Sequence, residues 1–249
     1  MKKLVLFTVL AITFACKDKP KEEPKEEVTQ ETEAQMNSGE TGWTVLFDGT
    51  SFNGWHLYNE GEIDEPWTLE EGTMVFYPPK EKKKGESYNI VTDKEFTNFV
   101  LSLEWKISKG GNSGIFWGVY EGEKYGQPYL TGPEIQVLDD ENHPDAKNGT
   151  THQAGALYDM IAPSEKVVKP ADEWNTVELT INHETNQGQV LLNGTKIVEF
   201  PVHGPEWDDM VSKSKFAGWE GFGAYKTGKI GLQDHGDIVA YRNIKIKEL

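Results

Sequence analysis

From Trp43 onward the chain is cut into short runs with a two-residue period, and no other feature constrains its fold as much. Residues 99–107 alternate apolar and polar side chains over much of their length. So do 114–119, 134–138, 176–181, 189–192, 197–200, 229–233 and 238–246. Such runs, divided by Gly, Asn, Asp and Pro, read as antiparallel strands with one face buried. Asn193-Gly194 between two of them is a strong hairpin signal, because both residues tolerate the positive φ that a two-residue turn demands. Asn148-Gly149 and Glu71-Gly72 mark further turns. One stretch reads as a helix. Pro205 opens it, Glu206, Asp208 and Asp209 fill its first turn, and Lys213 and Lys215 its last. Trp207, Met210, Val211 and Ser214 share a face, and Gly218 stops it. One short helix among a dozen or so strands predicts an all-β sandwich over residues 43–249, with no internal repeat and no second domain boundary.

The residues ahead of this domain are of another kind. Lys2 and Lys3 make a positive start, and 4–11 form an apolar stretch too short to cross a bilayer, which takes ~20 residues. Thr13-Phe14-Ala15-Cys16 follows. A small residue directly before the only cysteine resembles the lipobox of bacterial lipoproteins, in which that Cys becomes the acylated first residue. Residues 1–16 are therefore expected to be a lipoprotein signal peptide, with Cys16 lipidated. The mature chain would then hold no thiol for a disulfide or for cysteine catalysis. Its acyl chains would anchor it to a membrane on the periplasmic or cell-surface side of a Gram-negative envelope. Residues 17–42, beginning KDKPKEEPKEEVTQETEAQ, bury too little apolar surface to offset their ordering entropy and are expected to be a disordered tether. Their acidic run also resembles the signals that send some lipoproteins to the cell surface.

The first 42 residues hold six of the chain's 25 basic and eight of its 41 acidic side chains, which leaves 19 and 33 in the domain, a net −14. That balance argues against nucleic acid or an anionic membrane face as the domain's partner, because phosphate binding needs Lys and Arg. All eight Trp and 26 of the 28 aromatic residues also fall in the domain. They suit a sheet-rich fold or a sugar-binding surface.

Most catalytic signatures are absent. No HExxH presents two His to zinc. Gly111-Asn112-Ser113-Gly114 lacks the spacing of a nucleophile elbow. The acidic loop 139–145 lacks the Gly and Glu of a calcium-binding loop at their required positions, and reads as a solvated loop or a loose Ca²⁺ site. One pattern does carry chemistry. Glu134, Gln136 and Asp139 place a carboxylate, an amide and a second carboxylate at positions 0, +2 and +5. The first two share a strand face, and the third joins them only if a bulge intervenes. The spacing resembles the E-x-D-x-x-E strand of one family of jelly-roll glucanases. Such a set could serve proton transfer or glycosidic cleavage; otherwise Glu134 and Gln136 are outer-face polar residues. In Gln233-Asp234-His235-Gly236, an Asp beside a His could orient a general base, or the four could form an exposed hairpin tip. The other five His lack comparable sequence neighbours. Residues 110–114 are either a cradle for sugar hydroxyls or a turn.

Taken together, these segments resemble the bacterial 3-keto-disaccharide hydrolase family. The resemblance runs through GWTVLFDG (42–49), NGW (53–55), GGNSGIFW (110–117), GPEIQVLD (132–139), GALYDMIAP (155–163), EWN (173–175), LNG (192–194), SKF (214–216) and KIGLQDHGDIVAYRNIKIK (229–247). The Lys- and Pro-rich insert at 78–85 departs from it. The resemblance implies a concanavalin A-like jelly-roll β-sandwich with its first and last strands adjacent. It also implies action on glycosides oxidised to a ketone at C3, and hence coupling to a sugar 3-dehydrogenase. A base would take the acidified C2 proton, the C1 aglycone would leave, and water would add back. On this reading His235 or Glu134 is base or acid and Asp234 orients His235. Gln136, Asn112 and Arg242 hold hydroxyls or the enolate, Asp139 is a second carboxylate or a metal ligand, and Tyr158 and Trp117 face the substrate. No cofactor is assigned. A divalent metal would suit an enolate, but no ligand set stands out. The other two readings are a direct glycoside hydrolase using Glu134 and Asp139, and a non-catalytic sugar-binding lipoprotein.

Overall fold

Thirteen strands form among the residues that the computed structural model describes, 42–81 and 86–249. The expected signal peptide, Cys16 and the tether up to residue 41 lie outside those residues, as does part of the 78–85 insert. The strands are β1 (Thr44–Phe47), β2 (Trp55–Leu57), β3 (Trp67–Glu70), β4 (Thr73–Phe76), β5 (Ile90–Phe96), β6 (Phe99–Ile107) and β7 (Asn112–Val119). After these come β8 (Glu134–Leu138), β9 (Asn175–Asn182), β10 (Gln187–Leu192), β11 (Thr195–Phe200), β12 (Gly228–Leu232) and β13 (Val239–Glu248). They make two antiparallel sheets. The larger runs β11-β10-β9-β6-β13-β4-β3, with β1 also paired to β13, and the smaller runs β2-β5-β12-β7-β8. β13 is long enough to pair end to end with two partners on one edge, β4 at 239–241 and β1 at 244–246. The first and last strands are thus adjacent.

The core lies between the sheets and is built by the two-residue period. In β9, Asn175, Val177, Leu179 and Ile181 are buried while Thr176, Glu178, Thr180 and Asn182 are more open. Trp105, Tyr241, Phe76, Phe99 and Met74 are fully enclosed. The Tyr241 hydroxyl reaches across to Ser113 Oγ at 2.7 Å and ties the larger sheet to the smaller. The β10–β11 turn is Asn193-Gly194, at φ 51° and 82°, as a two-residue hairpin with positive φ at both positions requires.

Two expectations differ from the fold. The helix α1 spans Pro205–Ser212 and stops well short of Gly218. The Ser212 and Ser214 hydroxyls bond back to the Asp209 and Val211 carbonyls at 2.8 Å each, and the Lys213 and Ser214 amides make tighter i→i−3 bonds. Hydroxyls that compete for helix carbonyls in this way favour termination. The second difference is that β7 and β8 are buried at every position rather than at alternate ones. This is the burial of strands covered on both faces, and the cover on their outward face encloses the site.

Candidate active site

In the β7–β8 ladder Gly114 stands opposite Gln136 and Phe116 opposite Glu134, with no break in register. Ile115, Trp117, Ile135 and Val137 point into the core, so alternation turns Asn112, Gly114, Glu134 and Gln136 outward. Just past β12, the Gln233 N–H donates to the Gly114 carbonyl at 2.9 Å. The free edge of β8 is taken by residues 155–158. Gly155 N–H donates to the Gln136 carbonyl at 2.8 Å, Gln136 N–H to the Ala156 carbonyl at 3.1 Å, and Tyr158 N–H to the Glu134 carbonyl at 3.0 Å. Tyr158 is thereby held next to Glu134. Gly114 makes room for the acid: a Cβ there would stand 2.2 Å from Glu134 Oε1.

Above this floor is a hollow of about 270 Å³. Glu134, Gln136, Asn112, Gln233, Tyr158 and Lys215 supply its polar lining; Tyr129, Phe216 and Trp219 form an aromatic wall, and His235 stands at the rim. A second hollow of about 210 Å³ shares Tyr129, Gln233 and His235 with it and continues past Ser87, Asn89 and Gln127.

Burial dominates the electrostatics of the floor. Desolvation pushes the Glu134 carboxyl up to about 8, against the pull of the Lys215 cation and the Gln233 amide. An acid whose pKa lies near neutrality can both take and return a proton. Asn112 Oδ1 and Gln233 Oε1 are buried without a hydrogen-bond partner. An orphaned buried acceptor costs ~1–3 kcal/mol, and both belong to residues lining this hollow, so its chemistry calls for donors such as hydroxyls.

A chain of polar contacts fixes the far wall. The Tyr158 hydroxyl donates to Asp145 Oδ2 at 3.0 Å. His152 bridges Asp145 Oδ1 and Asp159 Oδ1, each at 3.0 Å, and Asp159 Oδ2 accepts the Lys215 N–H at 2.6 Å. Asp159 has a φ of 60°, a left-handed conformation. The Lys215 ammonium lies 4.0 Å over the Tyr158 ring. Burial first, and then the bond to Asp145, raise the Tyr158 pKa, so the phenol keeps its proton. Burial alone would raise the Asp145 carboxyl, but Asn148, Tyr158 and His152 outweigh it and hold it below its ordinary value. The His235 ring is open to solvent, yet crowded enough by protein that desolvation lowers its pKa, with Asp237 pulling the other way.

The 270 Å³ hollow thus gathers five of the expected residues: Glu134, Gln136, Asn112, Tyr158 and His235. Asp234 lines only the smaller one. Its carboxylate accepts the Tyr88 backbone N–H, and the carboxylate that bears most on His235 is Asp237. Three residues are placed elsewhere. No bulge brings Asp139 to the Glu134 face. Its carboxylate accepts Gly110 N–H and the Asn142 amide at 2.7 Å and Glu141 N–H at 3.1 Å. Although burial raises its pKa, these donors bring it below the ordinary range, and it serves as the clasp of the β6–β7 turn. Trp117 falls on the core side of β7, with its ring 5.6 Å from Phe200. Arg242 belongs to the larger sheet, where it pairs with Glu104 at 2.7 Å and covers the Trp174 ring at 4.0 Å. Nor are the remaining His without neighbours. His152 has its two aspartates, and His56 lies between Asp93 at 2.6 Å and Glu121 at 2.9 Å. Sequence reasoning missed Lys215, Gln233, Tyr129, Trp219, Asp145 and His152. For Lys215 and Gln233 a signal exists in the sequence, since they sit inside the family-like runs 214–216 and 229–247.

Larger hollows, of about 580 and 510 Å³, lie on the larger sheet. In the first, Asp48 is bonded by Thr50, and Glu104 by Arg242 and Asn243. Neither acid has its pKa raised toward neutrality, so this hollow offers no comparable proton carrier.

Comparison with known proteins shows the family and the fold. Residues 42–247 match the family described as the 3-keto-alpha-glucoside-1,2-lyase-like domain. The chain is 38% identical over 238 residues to the 3-keto-disaccharide hydrolase of Bacteroides thetaiotaomicron, covering 86% of this chain and 81% of that protein. The crystal structure of a candidate glycosyl hydrolase from Parabacteroides distasonis matches with a TM-score of 0.75 at 36% identity, over 84% of this chain and 94% of that one. At 10% identity, a non-specific endo-β-1,3(4)-glucanase shares the fold alone, with a TM-score of 0.51 over 84% of this chain and 96% of that one. The sandwich is thus of the concanavalin type, and the chain belongs to the 3-keto-disaccharide hydrolase family, whose shared domain is 3-keto-α-glucoside-1,2-lyase-like.

Proposed function

We propose that the protein cleaves 3-keto-glycosides by elimination and rehydration, with Glu134 as the proton carrier. The observation that carries this reading is a carboxyl with its pKa near 8 on the floor of a hydroxyl-accepting hollow. A C3 ketone acidifies the C2 proton. Glu134, as carboxylate, takes that proton, and the electron pair passes into an enolate on the C3 oxygen. The enolate collapses, the C1–O bond breaks, and the aglycone oxygen receives the proton from Glu134. Water then adds at C1 of the enone while a proton returns to C2, so the sum is hydrolysis. The Lys215 ammonium stands where it could favour the enolate. Asn112 Oδ1 and Gln233 Oε1 accept sugar hydroxyls, and the two adjoining hollows offer one place for the keto sugar and one for its aglycone. Of the two residues considered as base, Glu134 takes the role because it sits on the enclosed floor while His235 stands at the open rim.

The test compares a 3-keto-glucoside with its parent glucoside, following free aglycone and the ultraviolet absorbance of a conjugated 2-hydroxy-enone. Turnover of the keto sugar alone is expected. Cleavage of the parent glucoside at a similar rate would overturn the reading in favour of direct hydrolysis, a route that the engagement of Asp139 in its turn does not favour.

The substrate must come from an enzyme that oxidises a sugar hydroxyl at C3, which is the functional partner proposed here. We also propose that Cys16 is lipidated and that the protein is anchored at an envelope membrane through the 17–42 tether. Cys16→Ala should move it from the membrane to the soluble fraction; retention of that variant on the membrane would contradict the anchor.

A further inference from the structure

We propose that His143, His235 and Asp237 form a divalent-cation site at the rim of the hollows. One ligand atom from each of the three lies within 4.8 Å of the other two. A tetrahedral ion with bonds of ~2.1 Å sets its ligands roughly 3.4 Å apart, a closure within reach of side-chain rotation. The ligands come from two separate loops. His235 and Asp237 flank Gly236, whose φ of 91° turns the chain between them. His143 follows β8, where its own N–H closes a turn onto the Asp139 carbonyl at 2.9 Å. The two imidazoles meet edge to face at 6.2 Å. Asp237 is already oriented, since its Oδ2 accepts the Asn112 backbone N–H at 3.1 Å. A ligand held by such an outer contact is the usual condition of a metal centre.

Two imidazoles and one carboxylate suit a borderline ion such as Zn²⁺, Co²⁺ or Mn²⁺ better than the oxygen-loving Mg²⁺ or Ca²⁺. Binding has a defined cost. His143 Nδ1 accepts the Asp145 N–H at 3.1 Å, and ligation through either ring nitrogen gives that bond up. Because His235 lines both hollows, an ion there would keep coordination positions open toward a bound sugar. Its role as a Lewis acid on the C3 carbonyl or enolate oxygen rests on the keto-glycoside reading; its binding does not.

The full-length protein, stripped with a chelator, would be titrated with Zn²⁺ by calorimetry and with Co²⁺ by visible absorption. One ion per chain is expected, with affinity reduced at least about tenfold in His143→Ala and in Asp237→Asn. The Asn variant retains an acceptor for Asn112 N–H, so circular dichroism should be unchanged. Uptake no tighter than in the His143→Ala/Asp237→Asn double variant would overturn the site. Keto-glucoside turnover equally fast in stripped and reloaded protein would overturn the Lewis-acid role. Ion binding with no keto-glucoside turnover would contradict the keto-glycoside reading and leave the site standing.

Discussion

Glu134→Gln should lower kcat/KM on a 3-keto-glucoside by about 10²–10⁴-fold, the range for removal of a general acid–base group. The amide keeps the shape of the side chain but cannot carry a proton. In the parent protein kcat/KM should rise about tenfold per pH unit and level off near pH 8, where the carboxyl becomes ionised. The residual rate of the variant should lack that limb. Stability should respond in the opposite sense. The folded carboxyl holds its proton up to about 8, whereas the ordinary value is 4.5. Between those values the folded state binds a proton that the unfolded chain has released, so this contribution is whole below 4.5 and is lost as pH rises through 8. Glu134→Gln should therefore gain stability over the parent between pH 5 and pH 9, by an amount on the order of a few kcal/mol. Melting curves of the two proteins across that range read the difference directly. Parallel curves would mean that the buried carboxyl is not held protonated.

Gly114→Ala should cost about 10²-fold in kcat/KM while leaving the fold intact. The new Cβ would stand 2.2 Å from Glu134 Oε1, 2.6 Å from Cδ and 2.8 Å from Cγ, so the carboxyl must swing aside. Displacement of a reacting group by ~1 Å costs a factor of this order. The backbone at Gly114 does not have the positive φ that would itself forbid Ala, so the effect is confined to the acid. The pH limb should persist with its midpoint shifted, because Glu134 is displaced rather than removed. A Gly114→Ala enzyme with the parent rate would show that the observed Glu134 position is not the one used in catalysis.

Much of the sandwich was legible because a strand with one wet face writes its alternation into the sequence. Strands β6 and β8–β13 were located to within about two residues by that pattern. The first five strands include four of only three or four residues, too short to display a period. The face shared by Glu134 and Gln136 was legible for the same reason. The partners of that face were not. Whether Trp117 or its neighbours face outward depends on the β7–β8 register, and Arg242 meets Glu104 across 138 residues of chain. Asp139 looked like a second acid because its spacing admitted a bulge, and the ladder contains none between Glu134 and Leu138. The network from Tyr158 through Asp145, His152 and Asp159 to Lys215 closes only when three loops meet over β8. His143 and Asp237 are likewise 94 residues apart and join only in the folded chain.

The central claim is that cleavage proceeds through removal of the C2 proton. The most direct test is to run the reaction on a 3-keto-glucoside in deuterium oxide and examine the released keto sugar by mass spectrometry and proton NMR. Elimination followed by rehydration predicts one deuterium at C2 of the product, formed at the rate of aglycone release and lost with it in Glu134→Gln. A keto sugar released with its original proton at C2 would contradict the account and leave direct displacement at C1.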